Sequence, residues 1–131
     1  SLMGGLPSGE SQQNHDPYFR STAATLDLIE TAVKQFHRPE EGIYILVAPT
    51  GTQLCTDALF EGCIELSDRY DLCRHSHLLE TKAQQQLAQE KYGCSAVKHL
   101  QEIGYLSPKT SLAHCVWLND SDIENLAETQ S

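Results

Sequence analysis

Arg74-His75-Ser76-His77-Leu78-Leu79-Glu80-Thr81 carries two histidines and a glutamate across the passage from an extended segment to a helix. Side chains alternate along an extended backbone, so His75 and His77 point to the same side of a sheet. Glu80 follows where the strand gives way to a helix. A metal-ligand type of residue and a carboxylate are thereby set side by side. A second segment, Ala113-His114-Cys115-Val116-Trp117, places a lone His114 inside an apolar run of the kind found in buried parallel strands.

At the start of the chain, residues 1–17 hold Gly4, Gly5, Pro7, Gly9 and Pro17 among polar residues, which predicts a loop. From Tyr18 to His37 the apolar residues Phe19, Ala23, Leu26, Ile29, Val33 and Phe36 recur at the spacing of one helix face. Gly42 to Pro49 is continuously apolar and rich in β-branched residues, which predicts a strand covered on both faces. Thr56 or Asp57 caps a helix carrying Leu59, Cys63, Leu66 and Tyr70. A second strand spans Leu72 to His77. A helix then runs from about Glu80 to Tyr92, where Gly93 stops it, and Ser95 caps a shorter one ending near Gly104. Thr110 to Trp117 reads as the third strand, with Trp117 in the core, and Asn119 or Asp120 caps a last helix over Ile123, Leu126 and Ala127.

Three parallel strands alternating with helices make an α/β fold with right-handed βαβ crossovers. In such sheets chemistry gathers at the carboxyl ends of the strands. Pro49-Thr50, His77 to Glu80 and His114-Cys115 all lie at those ends, so they are expected to share one rim. Thr50 and Gln53, just past the first strand, are placed to touch a substrate.

Composition limits the partners. The 131 residues carry a formal net charge of -9, from 18 acidic against 9 basic residues. The lysines and arginines are scattered singly, which disfavours a nucleic-acid backbone as ligand. No apolar run approaches the roughly 20 residues of a membrane helix, so no membrane partner is expected. Five cysteines without a Cys-x-x-Cys pair read as reduced, packed thiols of a cytoplasmic protein. Cys73 lies two residues before His75 and Cys115 follows His114, but thiolate zinc sites favour paired cysteines. His15, His37 and His99 read as surface or helix residues.

His77-Leu78-Leu79-Glu80-Thr81, the helix that follows it, Ile103-Gly104-Tyr105-Leu106 and Leu112-Ala113-His114-Cys115-Val116 together resemble the amidohydrolase superfamily. The likeness is greatest to its deaminase and chlorohydrolase branch of guanine, 8-oxoguanine, isoxanthopterin and S-adenosylhomocysteine deaminases and triazine hydrolases. It implies a partial TIM (β/α)8 barrel. Residues 1–131 would be its central part, from just after the third strand to the helix after the sixth; a whole barrel takes about 250 residues. It also implies that His77 binds a divalent metal, Zn2+ or another such as Fe2+. Such a metal brings the pKa of its water to about 7. Glu80 would shuttle protons to the ring nitrogen, and His114 would stand beside the attacking water. The implied substrate is a small nitrogen heterocycle with a cyclic amidine, whether purine, pterin or triazine. The family's first-strand metal-binding histidines and eighth-strand aspartate have no counterpart in this chain. His75 is read as packing or supporting His77 and not as a ligand. Arg74 stands where the family has an apolar residue. A chain of this length leaves sheet edges open, so self-association into a homo-oligomer is expected. The alternative to the enzyme is a truncated, non-catalytic α/β module held together by that self-association.

Overall fold

The computed structural model of the chain describes residues 20–131. The predicted loop over 1–17, the start of the first predicted helix and His15 lie outside them. Helix α1 spans Thr22–Phe36 and is capped by the Ser21 hydroxyl, which accepts from Ala24 N. Its buried stripe is Thr25, Ile29 and Val33, while the predicted stripe member Phe36 is 55% exposed. Helix α2 spans Asp57–Tyr70 behind the Thr56 cap and buries Leu59, Phe60, Cys63, Leu66 and Ser67. Strand β1 is Arg74–Leu78. Helix α3, Lys82–Tyr92, is capped by Thr81 and ends on Gly93, whose φ of 70° is the left-handed conformation glycine adopts without penalty. Helix α4 is Ala96–Glu102 behind Ser95, and strand β2 is Thr110–His114. Helix α5, Asp120–Thr129, opens with a full capping box between Asn119 and Asp122.

β1 and β2 pair in parallel, with Arg74 opposite Thr110 and Leu78 opposite His114. The fold is therefore mixed α/β with two parallel strands and five α-helices among the described residues. The first of the three expected strands, Gly42 to Pro49, is a correction. That segment touches β1 through one parallel bridge, Val47 to Arg74, and the bonds Val47 N to Cys73 O, His75 N to Val47 O and His77 N to Thr50 O. A regular ladder is not sustained because Pro49 has no N–H to donate. Its carbonyl is taken by the Ser76 hydroxyl at 2.9 Å. Nor is the segment covered on both faces, for Ile43, Tyr44 and Leu46 are exposed.

Trp117 is a second correction. β2 ends at His114 because His114 (φ 73°) and Cys115 (φ 52°) turn the chain through the left-handed region. Trp117 consequently leaves the core and is 39% exposed, with the Lys82 ammonium over its ring.

The core lies between β1 and the helices and contains Leu59, Phe60, Leu72, Leu78, Val97, Leu100 and Tyr105. Phe60 and Tyr105 meet edge to face at 4.9 Å, an arrangement favoured by the ring quadrupoles. Arg74, the residue at odds with the apolar pattern, is buried here and fully engaged. Its Nε donates to Ser67 Oγ, its NH1 to the carbonyls of Gly104 and Tyr105, and its NH2 to Asp68 at 2.6 Å. No helix among the described residues is long and apolar enough to cross a membrane.

Candidate active site

The alternation of β1 separates two environments. Arg74, Ser76 and Leu78 are buried against the helices, whereas His75 and His77 are half-buried on the other face. Their rings lie 5.8 Å apart. His77 is fixed at its inner nitrogen, since Nδ1 lies 2.9 Å from the carbonyl oxygen of Thr50. A carbonyl only accepts, so Nδ1 carries the proton and the neutral ring keeps a bare lone pair on Nε2. That is the tautomer a metal-ligating histidine uses, with its other nitrogen held by an outer acceptor.

Beyond β1 the chain turns sharply. Leu79 is buried with φ 50°, an uncommon conformation for a bulky residue. Its carbonyl accepts from both Val116 N and Trp117 N, and Leu78 O accepts from Cys115 N at 2.9 Å. Three left-handed non-glycine residues, Leu79, His114 and Cys115, are thus tied together at the carboxyl ends of the two strands. Backbone strain of this kind persists where surrounding contacts over-determine it, and it concentrates at functional sites. The turn brings Glu80 to His114, with Oε2 3.7 Å from Nε2. This is ion-pair distance and longer than a hydrogen bond. The His114 ring lies 5.5 Å from that of His77, inclined by 29°.

Thr50, Gln53, His77, Glu80 and His114 all line one open cleft of about 560 Å³. Every residue predicted for the site is therefore gathered in one place. Two lining residues, Leu54 and Gln84, were not anticipated. Gln84 carried a signal that could have found it, since the third helical position after a threonine cap is where a glutamine side chain turns back. Leu54 carried none.

The Gln53 side chain folds back over Gly51, where a Cβ would lie 2.6 Å from its Oε1. This loop is held from α3, because Lys91 Nζ and Tyr92 OH both donate to Thr52 O, at 3.0 and 3.2 Å. Tyr92 in turn stacks on His99 at 3.6 Å, and His99 Nε2 lies 2.9 Å from Asp57 Oδ1. His99 is a helix residue, but one packed between elements and not a surface one.

His75 stands apart from the cleft, its Nδ1 2.8 Å from Ser111 Oγ. Burial raises the Cys115 thiol above its ordinary value and pushes Cys63 up to about 12, so neither is poised as a thiolate ligand. Among the described residues no three His, Cys, Asp or Glu side chains converge to enclose a metal. What His77 offers is a single imidazole corner, chemically suited to zinc or iron but needing ligands from elsewhere.

The sequence pattern of the amidohydrolase family matches residues 15–131. A 5'-deoxyadenosine deaminase of Methanothermobacter thermautotrophicus is 34% identical over 97 residues, which are 73% of this chain and 23% of that protein. An 8-oxoguanine deaminase of Pseudomonas aeruginosa is 27% identical over 127 residues, 95% of this chain and 27% of that one. The fold is similar to that of the atrazine chlorohydrolase TrzN from Arthrobacter aurescens complexed with zinc, with a TM-score of 0.84 at 24% identity over 98% of this chain and 28% of that one. The chain spans about a quarter of the length of the curated relatives it matches, 23% and 27% for these two.

Proposed function

The chain belongs to the amidohydrolase family, and on that premise we propose that it forms the central arc of a (β/α)8 barrel that hydrolytically deaminates a cyclic amidine in a nitrogen heterocycle. In this reading residues 1–131 run from after the third barrel strand to the helix after the sixth. His77 is a ligand of the catalytic metal through Nε2, the tautomer being set by Thr50 O. When bound, a divalent ion such as Zn2+ or Fe2+ acidifies water enough to supply a nucleophile at neutral pH.

Glu80 takes a proton from the attacking water and delivers it to the ring nitrogen of the amidine. Its side chain is 52% exposed at the cleft, where it can reach both the water and the ring. The water oxygen bonds to the amidine carbon, the exocyclic C–N bond breaks, and the amine leaves as ammonia with a second proton. His114, 3.7 Å from Glu80, orients the water and shares its proton. Thr50 and Gln53 form the wall against which the heterocycle rests. That the relatives are named as deaminases of 5'-deoxyadenosine and of 8-oxoguanine, and the structural neighbour as an atrazine chlorohydrolase, supports an aromatic nitrogen heterocycle as substrate.

The observation that carries this reading is the meeting of His77, Glu80 and His114 in one cleft although they come from two strand ends. A non-catalytic module has no need of that convergence or of the strained turns that produce it. The test is ammonia release by the full-length protein from a panel of aminated purines, pterins and triazines. Glu80→Gln is expected to cut turnover by about 100-fold or more while metal content stays unchanged. Retained turnover in Glu80→Gln on a good substrate would overturn the role given to Glu80.

A further inference from the structure

Gln84 lies in the first turn of α3, half-buried, and lines the same cleft as Glu80. Two bonds fix it. Its backbone N–H donates to Thr81 Oγ1 at 3.3 Å, and its side-chain Oε1 accepts the backbone N–H of Glu80 at 2.8 Å. The second bond decides which way the carboxamide faces, because only its oxygen can receive an N–H. The NH2 group must then point away from Glu80, and among the described residues no acceptor pairs with it. Rotating the amide by half a turn would set N–H against N–H at Glu80, so the orientation is not freely exchanged. A glutamine on an open cleft ordinarily offers either a donor or an acceptor; this one offers donors.

We propose that Gln84 is a specificity-determining residue of this cleft, presenting a fixed N–H2 donor to a carbonyl oxygen or unprotonated ring nitrogen of the heterocycle. This rests on the deaminase reading above. A ring with an acceptor at the edge facing α3 is favoured, and the same ring with C–H or N–H there is disfavoured because the donor is left unpaired. Selection by a hydrogen-bonding site against an analogue lacking the partner is stronger than selection by an apolar wall.

The experiment measures ammonia release by the full-length protein at about pH 8, where carboxylates are ionised. The probes are adenosine, guanine and melamine, set against 7-deazaadenosine, 7-deazaguanine and 2,4,6-triaminopyrimidine, in each of which one ring-nitrogen acceptor becomes C–H. Gln84→Glu keeps an acceptor for Glu80 N–H but has no donor to give. It is expected to raise KM about tenfold or more on the preferred acceptor-bearing substrate and to erase its preference over the analogue, with kcat held within about threefold. Gln84→Met, which also abandons Glu80 N–H, is expected to lower kcat as well. If Gln84→Glu leaves KM and preference unchanged while Glu80→Gln abolishes turnover, Gln84 serves Glu80 alone and the inference fails by itself. If the unmodified protein turns over none of the probes, or Glu80→Gln stays active, the deaminase reading fails and takes the inference with it.

Discussion

The two faces of β1 carry polar residues under opposite rules. On the helix side, Arg74 and Ser76 are buried and their hydrogen-bonding groups are met by Ser67, Asp68, Gly104, Tyr105 and Pro49. On the other side, among the described residues His77 is hydrogen-bonded at one nitrogen only, and at the adjoining strand ends Glu80 and His114 face each other without a full hydrogen bond. Buried polar groups must be paired or they cost stability, whereas groups that bind and react must keep a valence open. On the proposed function, the same strand separates scaffold from chemistry by the direction in which its side chains point.

The largest stability effect is expected on the scaffold face. Arg74→Met removes donors from Ser67 Oγ and two carbonyls, and it should lower unfolding stability by about 3 kcal/mol in urea titration. Asp68 is 70% exposed and recovers water, so its loss adds little. A variant as stable as the unmodified chain would mean that the network is dispensable, and the contrast between the two faces would lose its scaffold half.

A smaller effect is expected where α1 meets α2. A Cβ on Gly62 would come within 2.8 Å of Leu26 Cδ2 and closer still to Cδ1. Overpacking should outweigh the helix propensity gained, giving Gly62→Ala a net loss of about 1 kcal/mol that Leu26→Ala in the same chain partly relieves. A gain in stability would show that the leucine simply rotates away.

The smallest effect is electrostatic and involves residues that do not line the cleft. Glu30 is held below its ordinary 4.5 by the Tyr70 hydroxyl first and then by Lys34. A lowered folded value contributes stability that is present above the unfolded value and lost as pH falls through the folded one. The denaturation midpoint of the unmodified chain should therefore fall more steeply below about pH 4.5 than that of Glu30→Gln. Parallel curves would remove the Tyr70–Glu30 bond from the account.

Much of this division was legible in the sequence. Thr56, Ser95 and Asn119 cap helices as their residue types require, and Gly93 ends one. The His77–Glu80 spacing and the isolated His114 identified the rim because strand ends and helix starts are locally encoded. What failed depended on the third dimension. The apolar run through Pro49 looks like a strand, but a ladder depends on what lies alongside as well as on propensity. Trp117 reads as core until the left-handed turns at His114 and Cys115 carry it outward, and nothing in those two residue types announces such turns. Arg74 looked misplaced because its partners are separated from it in sequence by up to 31 residues.

The claim on which the whole comparison depends is that His77, and not its neighbour on the same face, is the metal ligand. Metal content of the full-length protein after dialysis tests it directly, with His77→Ala and His75→Ala measured side by side. His77→Ala is expected to lose metal and activity together, while His75→Ala keeps both within about tenfold. Metal retained in His77→Ala, or lost only in His75→Ala, would contradict it.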